Sequence, residues 1–167
     1  MMYYRFGKVF HFLTVLIFVF VFLYIYAALT DIVAYQLDDS GGFDKSIGKE
    51  TFFYTGIVAF IVLNVLLVVP AKMIENQSIS SLKRIFPKGE LLSDYMIAWM
   101  YSFVGIINVS LIIMTFFVHS INNQNEISAG EFSFFFYLIP VLFVIWIGAL
   151  FWILIQKFKE VQASNKI

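Results

Sequence analysis

The sequence predicts an all-α fold, a four-helix transmembrane bundle. Three observations carry that prediction: four long apolar runs, basic residues gathered on alternate connections, and a composition outside the soluble range. The runs read as Val9–Thr30, Phe52–Ala71, Tyr95–Val118 and Phe132–Ile155, and none contains Asp, Glu, Lys or Arg. A spanning helix needs about 20 apolar residues, because the hydrocarbon is about 30 Å thick and a helix rises about 1.5 Å per residue. The chain is 61% hydrophobic and 20% aromatic with 21 Phe, and its mean hydropathy is +0.88. Those values fit lipid as solvent. Its 167 residues are one domain's worth, so residues 1–167 are read as a single integral membrane domain.

The first run follows Arg5 and Lys8, as in a secretory leader. It is longer than a leader's apolar core, and no small-x-small cleavage site follows Ala27–Ala28, so it is read as a retained first helix. Thr30–Leu37 keeps helical spacing, with Val33 and Leu37 four apart, so helix one is expected to reach Asp38 before the Ser40-Gly41-Gly42 breaker. Phe18, Phe22 and Tyr26 form an aromatic stripe on it, the expected face for a protein partner. The acidic stretch Asp38–Asp44 lacks the alternating carboxylates and distal Glu of a calcium loop and reads as a solvated turn.

Helix two carries Gly56 and Ala59 on one face and Asn64 within the span. In the connection that follows, Ile79, Leu82, Ile85 and Phe86 make an apolar face, with Lys83 and Arg84 off it. That is a short amphipathic helix, with Lys83, Arg84 and Lys88 placed to meet lipid headgroups. Ser93 and Asp94 supply an N-cap signal for helix three. Along helix three Ala98, Ser102, Gly105 and Val109 align at helical spacing beside Asn108, a small-residue face of the kind that lets helices approach closely. Helices two and three are therefore the expected inner seam, with Asn64 and Asn108 as its polar contact. Helix four opens with Ser128-Ala-Gly-Glu131, a capping-box pattern, and contains Pro140 and Trp146. Trp146 lies close to mid-membrane, where its indole N–H needs a protein partner.

Nine of the eleven basic residues fall at the N-terminus (Arg5, Lys8), in the second connection (Lys72, Lys83, Arg84, Lys88) and in the C-terminal tail (Lys157, Lys159, Lys166). By the positive-inside rule these are cytoplasmic, giving an N-in/C-in, multi-pass protein, expected in a bacterial inner membrane. The connections holding Asp31, Asp38, Asp39, Asp44, Glu50, Glu126 and Glu131 would then face outward.

Catalytic chemistry has little to stand on. Zero Cys removes thiol nucleophiles and Cys metal sites. His11 and His119 sit at opposite ends of their helices, read as interfacial, so a shared metal or haem site is not expected. Ion and proton transporters place ionisable groups within the membrane, and the four spans hold no carboxylate or amine. A net charge of zero gives no reason to expect nucleic acid. The expectation is a non-enzymatic protein with no cofactor, bound by membrane lipids and other integral membrane subunits, acting as an accessory or assembly subunit of a larger complex. The alternative is a small transporter or channel component for a neutral or lipidic solute, its path lined by Asn64, Asn108 and Ser102.

Overall fold

Four helices long and apolar enough to cross a membrane dominate a computed structural model of the chain, which describes residues 3–38, 42–123 and 133–164. They are α1 (Tyr3–Ala28), α2 (Lys49–Glu75), α4 (Leu91–Asn122) and α5 (Ser133–Ser164). The short α3 (Ser80–Ile85) lies between α2 and α4, and a two-stranded antiparallel sheet, β1 (Ile32–Leu37) and β2 (Phe43–Gly48), lies between α1 and α2. The turn residues Ser40 and Gly41, the Ser128–Glu131 capping pattern and Lys166 lie outside the described residues.

The hydrophobic core centres on α4. In its most apolar stretch 44% of residues are buried, against 22% for α1, none for α2 and 6% for α5. The most extensive contact is α1 on α4, not the α2–α4 seam expected from the small residues. The cause is a stripe running down α1: Gly7, His11, Thr14, Phe18, Phe22, Ile25 and Leu29 recur at three- and four-residue steps, and all but half-buried His11 are buried. Such a stripe keeps one face on a neighbouring helix over its whole length.

Helix one does not reach Asp38. It ends at Ala28, and Ile32–Leu37 instead pairs with Phe43–Gly48. The sheet is fastened to α4 by one side chain. Asn122 accepts from the Ala34 N–H at 2.9 Å and donates to the Ala34 carbonyl at 2.8 Å, as an adjacent strand would. Val33, fully buried, packs with Ile25 and Leu29. Those contacts are tertiary, and helical spacing could not reveal them.

At the other end of the bundle, α2 continues through Pro70 to Glu75. It stops where Gln77 takes a left-handed conformation (φ 55°) and the Ser78 N–H bonds the Met73 carbonyl at 3.1 Å. The amphipathic α3 follows, but its apolar face is divided: Phe86 is buried and Leu82 packs on the core, while Ile79 and Ile85 stay exposed. The N-cap of α4 is Glu90, so Ser93 and Asp94 lie in its first turn. Ser93 Oγ donates to the Glu90 carboxylate at 3.1 Å.

Candidate functional site

A compact polar cluster crosses three helices. Asn64 on α2 donates through Nδ2 to Asn108 Oδ1 at 2.8 Å and to the Phe60 carbonyl at 2.8 Å. Asn108 on α4 returns Nδ2 to Asn64 Oδ1 and to Thr14 Oγ1, both at 3.3 Å. Thr14 donates to the His11 carbonyl at 2.8 Å, and His11 Nε2 lies 2.9 Å from Asn64 Oδ1. Both Asn64 Nδ2 hydrogens are used, so Oδ1 is the acceptor and His11 Nε2 carries the proton. Asn108 is fully buried.

His11 therefore belongs to the inner cluster rather than to an interface shared only with headgroups. The helix begins at Tyr3, not at the start of the apolar run, which sets His11 in its third turn. Sequence reading brought Asn64 and Asn108 forward and missed Thr14 and Gly7. The available signal was small and polar residues at positions 7, 11 and 14, just before and among the Phe, Leu, Val and Ile that otherwise fill residues 9–23.

The small residues serve contacts with α1 and α5. A Cβ on Gly105 would strike the Phe10 ring, and one on Gly56 would strike the Phe22 ring, both from α1. The close backbone approach is at Gly7, where a Cβ would come within 2.9 Å of the Ala98 carbonyl oxygen. Ser102 faces α5 in a closed three-bond ring. Trp99 Nε1 donates to the Trp146 carbonyl at 2.7 Å, Trp146 Nε1 to Ser102 Oγ at 3.0 Å, and Ser102 Oγ to the Trp99 carbonyl at 3.0 Å. The Trp146 indole N–H thus has a protein partner.

The aromatic stripe of α1 also turns inward. Phe18 and Phe22 are each 2% exposed. Phe18 stacks on Phe60 at 4.3 Å between centroids, Phe22 on Phe52 at 5.5 Å, and Tyr26 meets Phe53 at 4.7 Å. The expected partner face is thus turned against α2 and α4, and exposed apolar surface lies on the opposite side of α1, at Phe6, Phe12, Phe20 and Tyr24, as well as on α2 and α5. A single helix does not show which of its aromatic stripes finds rings on its neighbour.

Ion pairs join the helices at the end where α1 begins. Lys8 on α1 pairs with Glu75 on α2. Lys157 on α5, itself buried, reaches Glu90 at 2.6 Å and Glu160 at 3.0 Å. Burial opposes the charge on Glu90, but hydrogen bonds from Lys157 and Ser93 outweigh it and hold its carboxyl below the ordinary value. Lys83, Arg84 and Lys88 are exposed at the same end. A cavity of about 240 Å³ there is lined by Tyr4, Glu75, Gln77, Lys88 and Asp94 among others.

In chemical terms the central cluster is closed. Hydrogen bonds join its amides, hydroxyl and imidazole to one another and to helix carbonyls, and among the described residues no carboxylate or second histidine bonds to it. Among the described residues there is no group of three or more His, Asp or Glu able to hold a metal ion. Compared with known protein families, with curated proteins and with solved structures, the chain matches none.

Proposed function

We propose that this chain is a non-catalytic subunit or accessory factor of a larger integral membrane complex. It sits in a bacterial inner membrane with both termini cytoplasmic. The observation that carries the reading is the uncovered apolar surface of α5. Among its neighbours in the chain α5 packs mainly on α4, and Tyr137, Val141, Val144, Phe151 and Phe158 stand exposed. It is fixed to α4 by directional polar bonds, so its outer face is held in a defined orientation. Lipid needs no such orientation; a protein surface does.

The polar residues support the same reading. Of the candidates for lining a solute path, Asn64 and Asn108 bond to each other and Asn108 to Thr14, while Ser102 accepts from Trp146 across the α4–α5 seam. Hydrogen-bonding groups so engaged join helices rather than receive a solute. Lys83, Arg84 and Lys88 then place α3 at the inner headgroup layer.

Photo-crosslinking from Tyr137, Val144 and Phe151 in native membranes tests the proposal. The expected result is a discrete protein adduct of one size from at least one position. Lipid adducts alone from all three, with solute uptake abolished by Asn108→Leu, would overturn it in favour of a transporter.

A further inference from the structure

Among the described residues, the sheet at the outer end of the bundle has one edge capped at Ala34 and one open edge. Both peptide groups of Ala34 turn away from β2 and are taken by Asn122. Opposite residues in an antiparallel ladder alternate between pairs that bond each other and pairs whose N–H and C=O both point outward. Ser46, opposite Ala34, therefore turns its own N–H and C=O away from β1, and Gly48 does the same two residues on. Lys49 turns back, its N–H on the Asp31 carbonyl at 2.9 Å, as the alternation requires. Asn122 thus blocks the β1 edge, while β2 is exposed along its length apart from half-buried Ile47. Among the described residues no other strand joins it. An open edge of this kind is a template for a further strand.

We propose that the outer edge of β2 pairs with the same edge of a second copy of this chain. Two equivalent strands meet antiparallel about a two-fold axis normal to the sheet, so one residue must face its own counterpart. An axis at Ser46 meets the condition that this residue's peptide groups point outward. It sets Lys45 opposite Ile47 and Asp44 opposite Gly48, with no like charges facing. An axis at Lys45 or at Asp44 sets like charges directly opposite, which destabilises a sheet. Val33 and Ile47 point from the sheet toward the helices, Ile47 over Phe18, Phe22 and Phe52. The axis therefore runs from the sheet into the bundle, the direction required by two copies side by side in one membrane. Gly48 is also the N-cap of α2, so the strand enters the helix without a linker. The exposed face of α2, with Tyr54, Val58, Ile61 and Val65, continues the contact below the edge.

The absence of cysteine makes the test direct. Ser46→Cys places two thiols at the two-fold axis, on residues whose Cα atoms would lie about 5.5 Å apart in a bonded pair, within disulfide reach. Asp44→Cys, equally exposed, sits four residues out of register from its counterpart, roughly 13 Å away. Mild oxidation of membranes should give several-fold more disulfide-linked dimer from Ser46→Cys than from Asp44→Cys. Ser46→Pro removes the outward N–H without touching a bond to β1. By light scattering in mild detergent it should reduce the protein mass from two chains to one, with the helical circular dichroism unchanged. Equal cross-linking from positions 44 and 46, or a mass of one chain for the unsubstituted protein, would overturn the proposal.

Discussion

Asn108 is the residue whose loss should matter most inside the bundle. Replacing it with Leu removes its bonds to Asn64 and Thr14 at a buried site, and amide contacts of this kind between membrane helices contribute about 0.6 to 2 kcal/mol. Asn108→Leu and Asn64→Leu should each lower stability in detergent by about that much. The double variant should lose less than the sum, because the first substitution already removes the shared bonds. Fully additive losses would remove the pairing from this account. At Gly7 the obstacle to a side chain is the α4 backbone, whereas at Gly105 it is the Phe10 ring, which can rotate away. Gly7→Ala should therefore lower the unfolding midpoint more than Gly105→Ala does, although Gly105 is the more obvious packing residue in the sequence. The amides were legible because they are rare within apolar spans. Gly7 and Thr14 were not, since their meaning depends on Ala98 and Asn108, about 90 positions away.

At the level of elements, α5 depends on a few directional links: the ring of bonds through Trp99, Ser102 and Trp146, and the pair Lys157–Glu90. The pair gives α5 a pH dependence whose sign follows from Glu90. Its carboxyl is held below its ordinary value in the folded chain. The stabilisation is therefore fully present above the ordinary carboxylate range and is lost as the pH falls through the lowered value. Amide hydrogen exchange near Lys157, taken relative to the intrinsic rate of an unstructured amide at each pH, should quicken as the solution is acidified through that range. In Glu90→Gln it should be faster at neutral pH and change less with acid. A response of Glu90→Gln identical to that of the unsubstituted chain would assign the effect elsewhere. The four long apolar helices were legible from length and apolarity, and α3 from the spacing of Leu82 and Phe86 against Lys83 and Arg84. The sheet was hidden for a physical reason. β2 is exposed at nearly every position and so lacks the alternation of a half-buried strand. Val33 and Leu37 meanwhile satisfy helical spacing. What makes residues 32–37 a strand is their pairing with β2 and the hold of Asn122 on Ala34.

For the molecule as a whole, the orientation is open to direct measurement. Cysteines introduced at Asn123 and at Ser164 should differ, the first labelled in intact cells by an impermeant thiol reagent and the second only after the membrane is broken. The reverse pattern would invert the bundle. The central place of α4 has a consequence for synthesis. α1 and α2 leave the ribosome before α4 exists, and until it arrives Thr14 and Asn64 have only His11 and helix carbonyls to bond, while the face of α1 around Gly7 lacks its partner helix. On the proposed membrane reading, the chain passes through a two-helix stage in which a small polar patch lacks its α4 partner, relieved when Asn108 arrives about 90 residues after Thr14. α5 completes no part of that patch. A fragment ending at residue 90 should be unstable and degraded in cells, whereas one ending at residue 123 should persist and retain the cluster. Pulse-chase decay of the two fragments measures the difference, and equal lifetimes would mean that the early helices find shelter before their own hub is made.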